Sequence, residues 1–240
     1  LALSAIPTFP VPGLPGDMSA AAFVGALNAP LLGPFGGFLY GLVYGVINQY
    51  LFAYTAFFGP LTFLTNLAGA TTVGLILYPK KKGWIAVAVF YVLMILAWYF
   101  YKGNAGLVNV MPIVTWRHWA ALILLVLPWT RNFVQNEVAK RDNFVKLIIA
   151  LWLLEFMSVG NNLTGNVLAF YLLDFTNPVY WVPLTLYYAI MDIASYTVGA
   201  LVGAPILIAL KNANIRIFAD TYEEVISNRS EQEEPNVLGS

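Results

Sequence analysis

AAFVGALNAPLLGPFGGFLYGLVYGVIN, running from Ala21 to Asn48, carries the strongest signal of fold class in the chain. Small residues occupy every fourth position, at Ala21, Gly25, Ala29, Gly33, Gly37, Gly41 and Gly45. Glycine inside a helix costs about 1 kcal/mol relative to alanine, so a water-soluble helix rarely carries so many. In a bilayer the balance reverses: lipid tails give helices no hydrophobic reason to associate, and close backbone approach supplies the attraction. The stretch therefore reads as a helix-packing seam. Gly33, Gly37, Gly41 and Gly45 are its contact points, and Gly33-Pro34 divides it into two antiparallel helices. Gly199 and Gly203 give a fainter echo of the pattern late in the chain.

Composition agrees. Of the 240 residues 60% are hydrophobic and 10% charged, against roughly 45–50% and 25% in soluble domains. Several apolar runs approach or exceed ~18 residues, the length that a membrane demands. The fold class is all-α, a polytopic transmembrane helical bundle. With no cysteine, disulfides and thiolate chemistry are excluded, and the single histidine, His118, cannot build a multi-histidine metal site. A formal charge of zero gives no electrostatic footprint for nucleic acid.

Outward from the seam, LALSA resembles the tail of a preceding helix, and the absence of an initial methionine suggests that an N-terminal piece is missing. Four prolines between Pro7 and Pro15 make the next segment an extended loop. Helical spans are expected at Met18–Leu32, Phe35–Ala56, Leu61–Tyr78, Gly83–Tyr101, Ile113–Trp129, Phe144 to about Val159, and Pro178–Leu210. The last of these is tilted or kinked at Pro183 and Pro205. Thr130–Asn143 reads as a polar loop with some helical character. SVGNNLTGN breaks the apolar pattern before Val167–Leu173, a re-entrant piece or a continuation of the span. Residues 1–212 form one transmembrane domain, with 83–129 a possible inserted hairpin. Residues 213–240 are an acidic, partly disordered tail, six acids facing three bases from Lys211 to Ser240.

The positive-inside rule sets orientation. Placing Lys80–Lys82, Arg131–Lys146 and the C-terminal tail in the cytoplasm puts ten of the twelve Lys and Arg on that side. Lys102 and Arg117 are left near the other face. The arrangement needs seven visible spans plus the truncated first. Trp84, Trp98, Trp116, Trp129 and Tyr180-Trp181 then fall at span ends, as an aromatic belt requires.

Polar residues inside spans are functional candidates by default. Glu155 lies about eleven residues, or ~16 Å, into its helix, close to the midplane, and Asp192 is about as deep. No lysine or arginine is expected at that depth. Such carboxylates share protons, bind a cation or meet a cationic or donor-rich ligand; the alternative is a protonated acid bonded to a neighbouring helix. Asn161, Asn162, Thr164 and Asn166 crowd the glycine-punctuated break, either lining a cavity or forming an external loop. Carboxamides offer donors and acceptors alike, which suits a heterocycle or small polar metabolite. Asn48 and Asn66 are outer candidates. Tyr188, Asp192, Ser195 and Tyr196 share one face of the last helix at i, i+4, i+7, i+8 spacing. Arg117-His118 is most simply an interfacial anchor. Phosphate-binding loops, metalloprotease helices and nucleophile elbows are all missing from the sequence, so neither catalysis nor a cofactor is expected.

The proline-bearing loop, the short alanine-rich helix and LLGPFGGFLYGLVYG resemble the substrate-binding S components of energy-coupling factor (ECF) transporters. Members commonly carry G-P-x-x-G-x-x-x-G, here Gly33, Pro34, Gly37 and Gly41. TNLAGA at Thr65–Ala70, GNVLAFYLLDF, and the final GALVGAPILIAL with its basic exit are similar too. The resemblance covers roughly residues 1–78 and 144–212. It implies a six-helix core, with Gly83–Trp129 an inserted hairpin, and a membrane subunit that binds a vitamin or similar micronutrient. Its implied partners are the substrate, the lipid bilayer, a membrane coupling subunit and two cytoplasmic ATPases; its implied location is the cell membrane with the C-terminus cytoplasmic. The substrate-binding candidates are Asn48, Asn66, Glu155, Asn161, Asn162, Asn166, Tyr188 and Asp192. Two alternatives stand beside this: a self-sufficient proton- or cation-coupled transporter relaying through Glu155 and Asp192, and a non-transporting membrane scaffold.

Overall fold

Gly33 adopts φ 71°, ψ −175°, a backbone conformation that only glycine reaches without strain, and the chain turns there. The structure, a computed structural model, describes residues 2–10, 17–78, 82–101, 109–173 and 178–222. Before the turn, Ala20–Leu27 forms a 3-10 helix rather than the α-helix expected over Met18–Leu32. The break lies inside α1 (Asn28–Leu51), which carries Pro34 just after it. Asn28 faces Tyr40 and Ser19 faces Tyr44, so the two arms run back alongside each other, as the seam suggested.

The glycines of α1 face α2 (Phe63–Leu77). A Cβ on Gly37 would lie 2.9 Å from the Ala70 carbonyl oxygen, and one on Gly41 2.8 Å from Leu67 Cα. One on Gly45 would sit 3.0 Å from Phe63 Cα, and Gly74 of α2 presses against Pro34 in return. Backbone meets backbone along the whole pair, which is how small residues hold helices together in lipid. Gly203 plays the same part elsewhere, receiving Leu27 and Leu151; Gly199 is buried as well.

The remaining helices are α3 (Gly83–Tyr99), α4 (Met111–Val126), α5 (Pro128–Lys140), α6 (Phe144–Met157), α7 (Gly160–Leu173) and α8 (Pro178–Asn212). Four stretches are long and apolar enough to cross a membrane: Asn28–Leu51, Gly59–Leu77, Phe144–Leu173 and Trp181–Asn212. The pair α4–α5, bent by 76°, makes a fifth if counted as one span, and α3 is apolar but shorter. The seven visible spans expected from the sequence are thus too many. Val167–Leu173 continues the α6 span, one of its two expected readings, whereas the 3-10 arm before Gly33 is not among the candidates. The chain is nevertheless an all-α bundle with several membrane-crossing helices.

Helices α3 and α4 are not peripheral. Tyr91, Ile95 and Trp98 of α3 are fully buried, as are Ala121 and Leu125 of α4. Trp98 packs on Phe170 and Trp181 with ring centroids 5.5 and 5.1 Å apart. Trp98 and Trp181 are therefore core residues rather than members of an aromatic belt, whereas Trp116 and Trp129 do lie exposed. The polar segment after α4 is mostly the helix α5, started by Pro128 in its first turn. Arg131 of α5 lies over the Trp84 ring, 4.1 Å from its centroid.

The α6–α7 break falls at Ser158 (φ −96°, ψ 62°), before the amide-rich run rather than within it. Irregular backbone inside a membrane needs new partners for its freed groups. Tyr91 supplies one, its hydroxyl donating to the Met157 carbonyl at 2.9 Å, and Thr72 and Ser158 hydroxyls meet at 3.2 Å. Tyr91→Phe should destabilise the protein by about 1–3 kcal/mol, since it leaves a buried carbonyl unmet. Chemical unfolding in detergent reads this; an unchanged midpoint would show that Met157 finds another donor.

At the N-terminus the strands Pro7–Pro10 and Asp17–Ser19 pair antiparallel, after a 3-10 turn at Ala2–Ala5. Beyond α8 the chain does not simply leave the bundle. Arg141 and Asp220 form an ion pair, as do Lys211 and Asp142. Phe218 covers Gly33 and stacks on Tyr78. Ala219 and Tyr222 are buried, and that burial pushes the Tyr222 hydroxyl pKa up. The boundary placed after residue 212 thus cuts through packed structure. Residues 79–81, 102–108 and 223–240, with most of the lysine turn, the Lys102 loop and the acidic end of the tail, lie outside the described residues.

Candidate functional site

Helical spacing builds the site. Ser158 and the α7 residues Asn161, Asn162, Gly165, Asn166 and Ala169 recur at three- and four-residue intervals, so they share one face, and that face lines a cavity of about 240 Å³. The asparagines lie within α7, not in a loop. Opposite, α2 presents Thr65, Asn66, Gly69 and Ala70. Its small residues leave room: a Cβ on Gly69 would come 3.1 Å from Asn161 Cβ. Helix α1 adds Tyr40, Tyr44 and Asn48, and α8 adds Trp181, Leu184, Tyr188, Asp192, Ser195 and Tyr196. Glu155 enters from the last turn of α6 and reaches the 3-10 arm, where a Cβ on Gly25 would lie 3.2 Å from its Oε1.

All eight candidates named from the sequence, Asn48, Asn66, Glu155, Asn161, Asn162, Asn166, Tyr188 and Asp192, line this one cavity. They arrive from α1, α2, the α6–α7 span and α8. The Asn48 side-chain amide donates to Thr55 Oγ1 at 2.8 Å, while its Oδ1 is buried without a partner, as is the Ser195 hydroxyl. Among the described residues no cluster of three or more His, Asp or Glu is placed to hold a metal ion.

Arg117 departs most from expectation. It is 6% exposed, seven residues into α4, and it forms an ion pair with Asp192 of α8. It is no interfacial anchor, and a base does stand at the depth of the acids. Trp116 and Trp119 on either side are partly exposed, which gives the sequence around Arg117 the look of an interface. His118 is buried beside it, edge-on to Trp98 at 5.6 Å, with Nε2 3.5 Å from the Asn166 amide. Arg117 and His118 line a second cavity of about 20 Å³, room for one water. That small cavity shares Asn166, Trp181 and Tyr188 with the large one. One signal could have found the pair: Asp192 needs a counter-charge inside the bundle, and Arg117 is the arginine left stranded by the charge asymmetry.

The arrangement offers amide donors and acceptors, tyrosine rings and hydroxyls, and two carboxylates of which one is held by a guanidinium. These groups can hydrogen-bond to and stack on a small molecule. No protein-family model, curated protein or solved structure matches the chain.

Proposed function

We propose that this chain is a membrane-embedded substrate-binding subunit, which captures a vitamin or similarly small, polar micronutrient for uptake. Separate membrane-coupling and ATPase subunits would energise it in the cell membrane, with the basic end and the C-terminus facing the cytoplasm. The observation that carries the binding role is the convergence of eight polar residues from four parts of the fold on one cavity. Small-molecule sites are concave and place a few polar groups among aromatic and apolar ones. A cavity of about 240 Å³ falls just below the ~300–1,000 Å³ of drug-sized sites, which favours a ligand of one or two rings. The resemblance to S components supplies the transport half of the proposal. Glycine contacts between α1 and α2 suit a body that moves as one unit.

The test is purification in mild detergent, followed by mass spectrometry of the small molecules released on denaturation. A thermal-shift screen of vitamins and nucleobases accompanies it. One recovered compound that also raises the unfolding temperature supports the role. An empty protein, unmoved by the screen, overturns it.

A further inference from the structure

The chain that follows α8 is built to return to the bundle. Asn214 takes φ 53°, a left-handed turn that asparagine tolerates better than most residues, and the Ile215 N–H donates back to the Leu210 carbonyl oxygen at 3.0 Å. A short helical turn then starts at Phe218. Its Asp220 carboxylate accepts from the Ile217 backbone N–H at 2.6 Å, the reciprocal half of a capping box. Through its other oxygen the same carboxylate pairs with Arg141. Phe218 covers the Gly33 break, where a Cβ would lie 2.5 Å from its Cδ1. Its ring stacks on Tyr78 at the end of α2 and meets Tyr222 edge-on at 5.0 Å. Arg141 ends α5 at φ 51°, a position that usually falls to glycine or asparagine. A bulky residue persists in that conformation only where its surroundings over-determine it, and here the side chain is buried on Asp220. Lys211 holds the same α5–α6 turn from α8 by pairing with Asp142.

The Gly33 break is also where the arm Ala20–Leu27 joins the rest of α1, and Ala21, Ala22 and Gly25 of that arm line the cavity. The arm is 3-10 helix, whose poorer hydrogen bonds make it a readily moved wall. We infer that residues 215–222 are a latch on that wall. Closed, with Phe218 on Gly33 and Asp220 on Arg141, the latch holds the arm against the cavity; released, it frees the arm to shift. It couples one end of the bundle to the cavity whatever the cavity holds, so it stands or falls apart from the binding role.

The chain has no cysteine, so single introduced thiols report on the latch. Ala219→Cys, at a fully buried position within it, should react slowly with a maleimide in detergent, at a rate that tracks the open population. Adding Asp220→Asn or Phe218→Ala should raise that rate at least about tenfold, since each disrupts a buried contact. Ala121→Cys, equally buried but in α4, should stay protected in both backgrounds, which separates a local release from unfolding. A spin label on Ala22→Cys, an exposed position of the arm that lines the cavity, should gain mobility in both backgrounds. Four results would each overturn the latch: fast labelling of Ala219→Cys with the latch otherwise intact, a rate that neither change raises, an Ala121→Cys rate that rises in step, or a spin label at position 22 that neither change moves.

Discussion

Arg117→Met is expected to cost about 3–5 kcal/mol of stability, because it strands the buried Asp192 carboxylate without its counter-charge. Asp192→Leu alone should cost a similar amount, since the guanidinium is then the stranded group. The two together should recover most of the loss and return within about 1 kcal/mol of the wild type, as buried ion pairs replaced by apolar residues often do. The asymmetry is the signature. The pair joins α4 to α8 beside Tyr188, and it is worth little as a net attraction but much as a matched set. Denaturant or SDS titration of the four proteins in detergent gives the coupling directly. Additive single-mutant losses would mean that Arg117 and Asp192 do not depend on each other.

Gly41→Leu should prevent α1 and α2 from packing at all. Even Gly41→Ala should cost about 1–3 kcal/mol, the range for overpacking a close-fitted interior. A Cβ at this position would meet Leu67 Cα at 2.8 Å and the Asn66 carbonyl oxygen at 2.9 Å, and backbone atoms cannot step aside as a side-chain tip can. The effect should reach the cavity, because Asn66 lies on the same turn of α2 that Gly41 touches. Gly165→Ala is the control. Its Cβ would have ordinary contacts, the nearest 3.6 Å away, and alanine's helix propensity should leave stability unchanged or raised by up to about 1 kcal/mol. Equal losses at Gly41 and Gly165 would mean that glycine matters for flexibility rather than for close approach.

What the sequence disclosed and what it hid divide along physical lines. The seam was legible because packing in lipid imposes a short, regular spacing of small residues, and Gly37, Gly41 and Gly45 carry it in plain view. The cavity-lining polar residues were legible for the opposite reason: an amide or acid in an apolar run has a cost, so Asn161, Asn162, Asn166, Glu155 and Asp192 stand out. Features that depend on distant partners were hidden. The break at Ser158 is sustained by Tyr91, 66 residues away from Met157, whereas the nearby glycines drew the expected break too far along. Arg117 needs Asp192, 75 positions later, to be recognised as an interior residue. Residues 215–222 look like the start of a polar tail until Phe218 is seen against Gly33 and Asp220 against Arg141. Trp98 and Trp181 show the same limit, because a tryptophan near a span end can serve an interface or a core, and only the ring contacts decide.

The cavity among α1, α2, the α6–α7 span and α8 is proposed to hold one small molecule. Native mass spectrometry of the protein released from detergent tests it most directly, comparing the wild type with Asn161→Leu. Asn161 is exposed within the described structure and faces the cavity, so leucine there removes the amide and fills space without disturbing the packed core. A single small-molecule adduct on the wild type, absent from Asn161→Leu at an unchanged unfolding temperature, is the predicted result. A wild-type protein with no adduct, or an adduct that Asn161→Leu retains in full, would contradict the account.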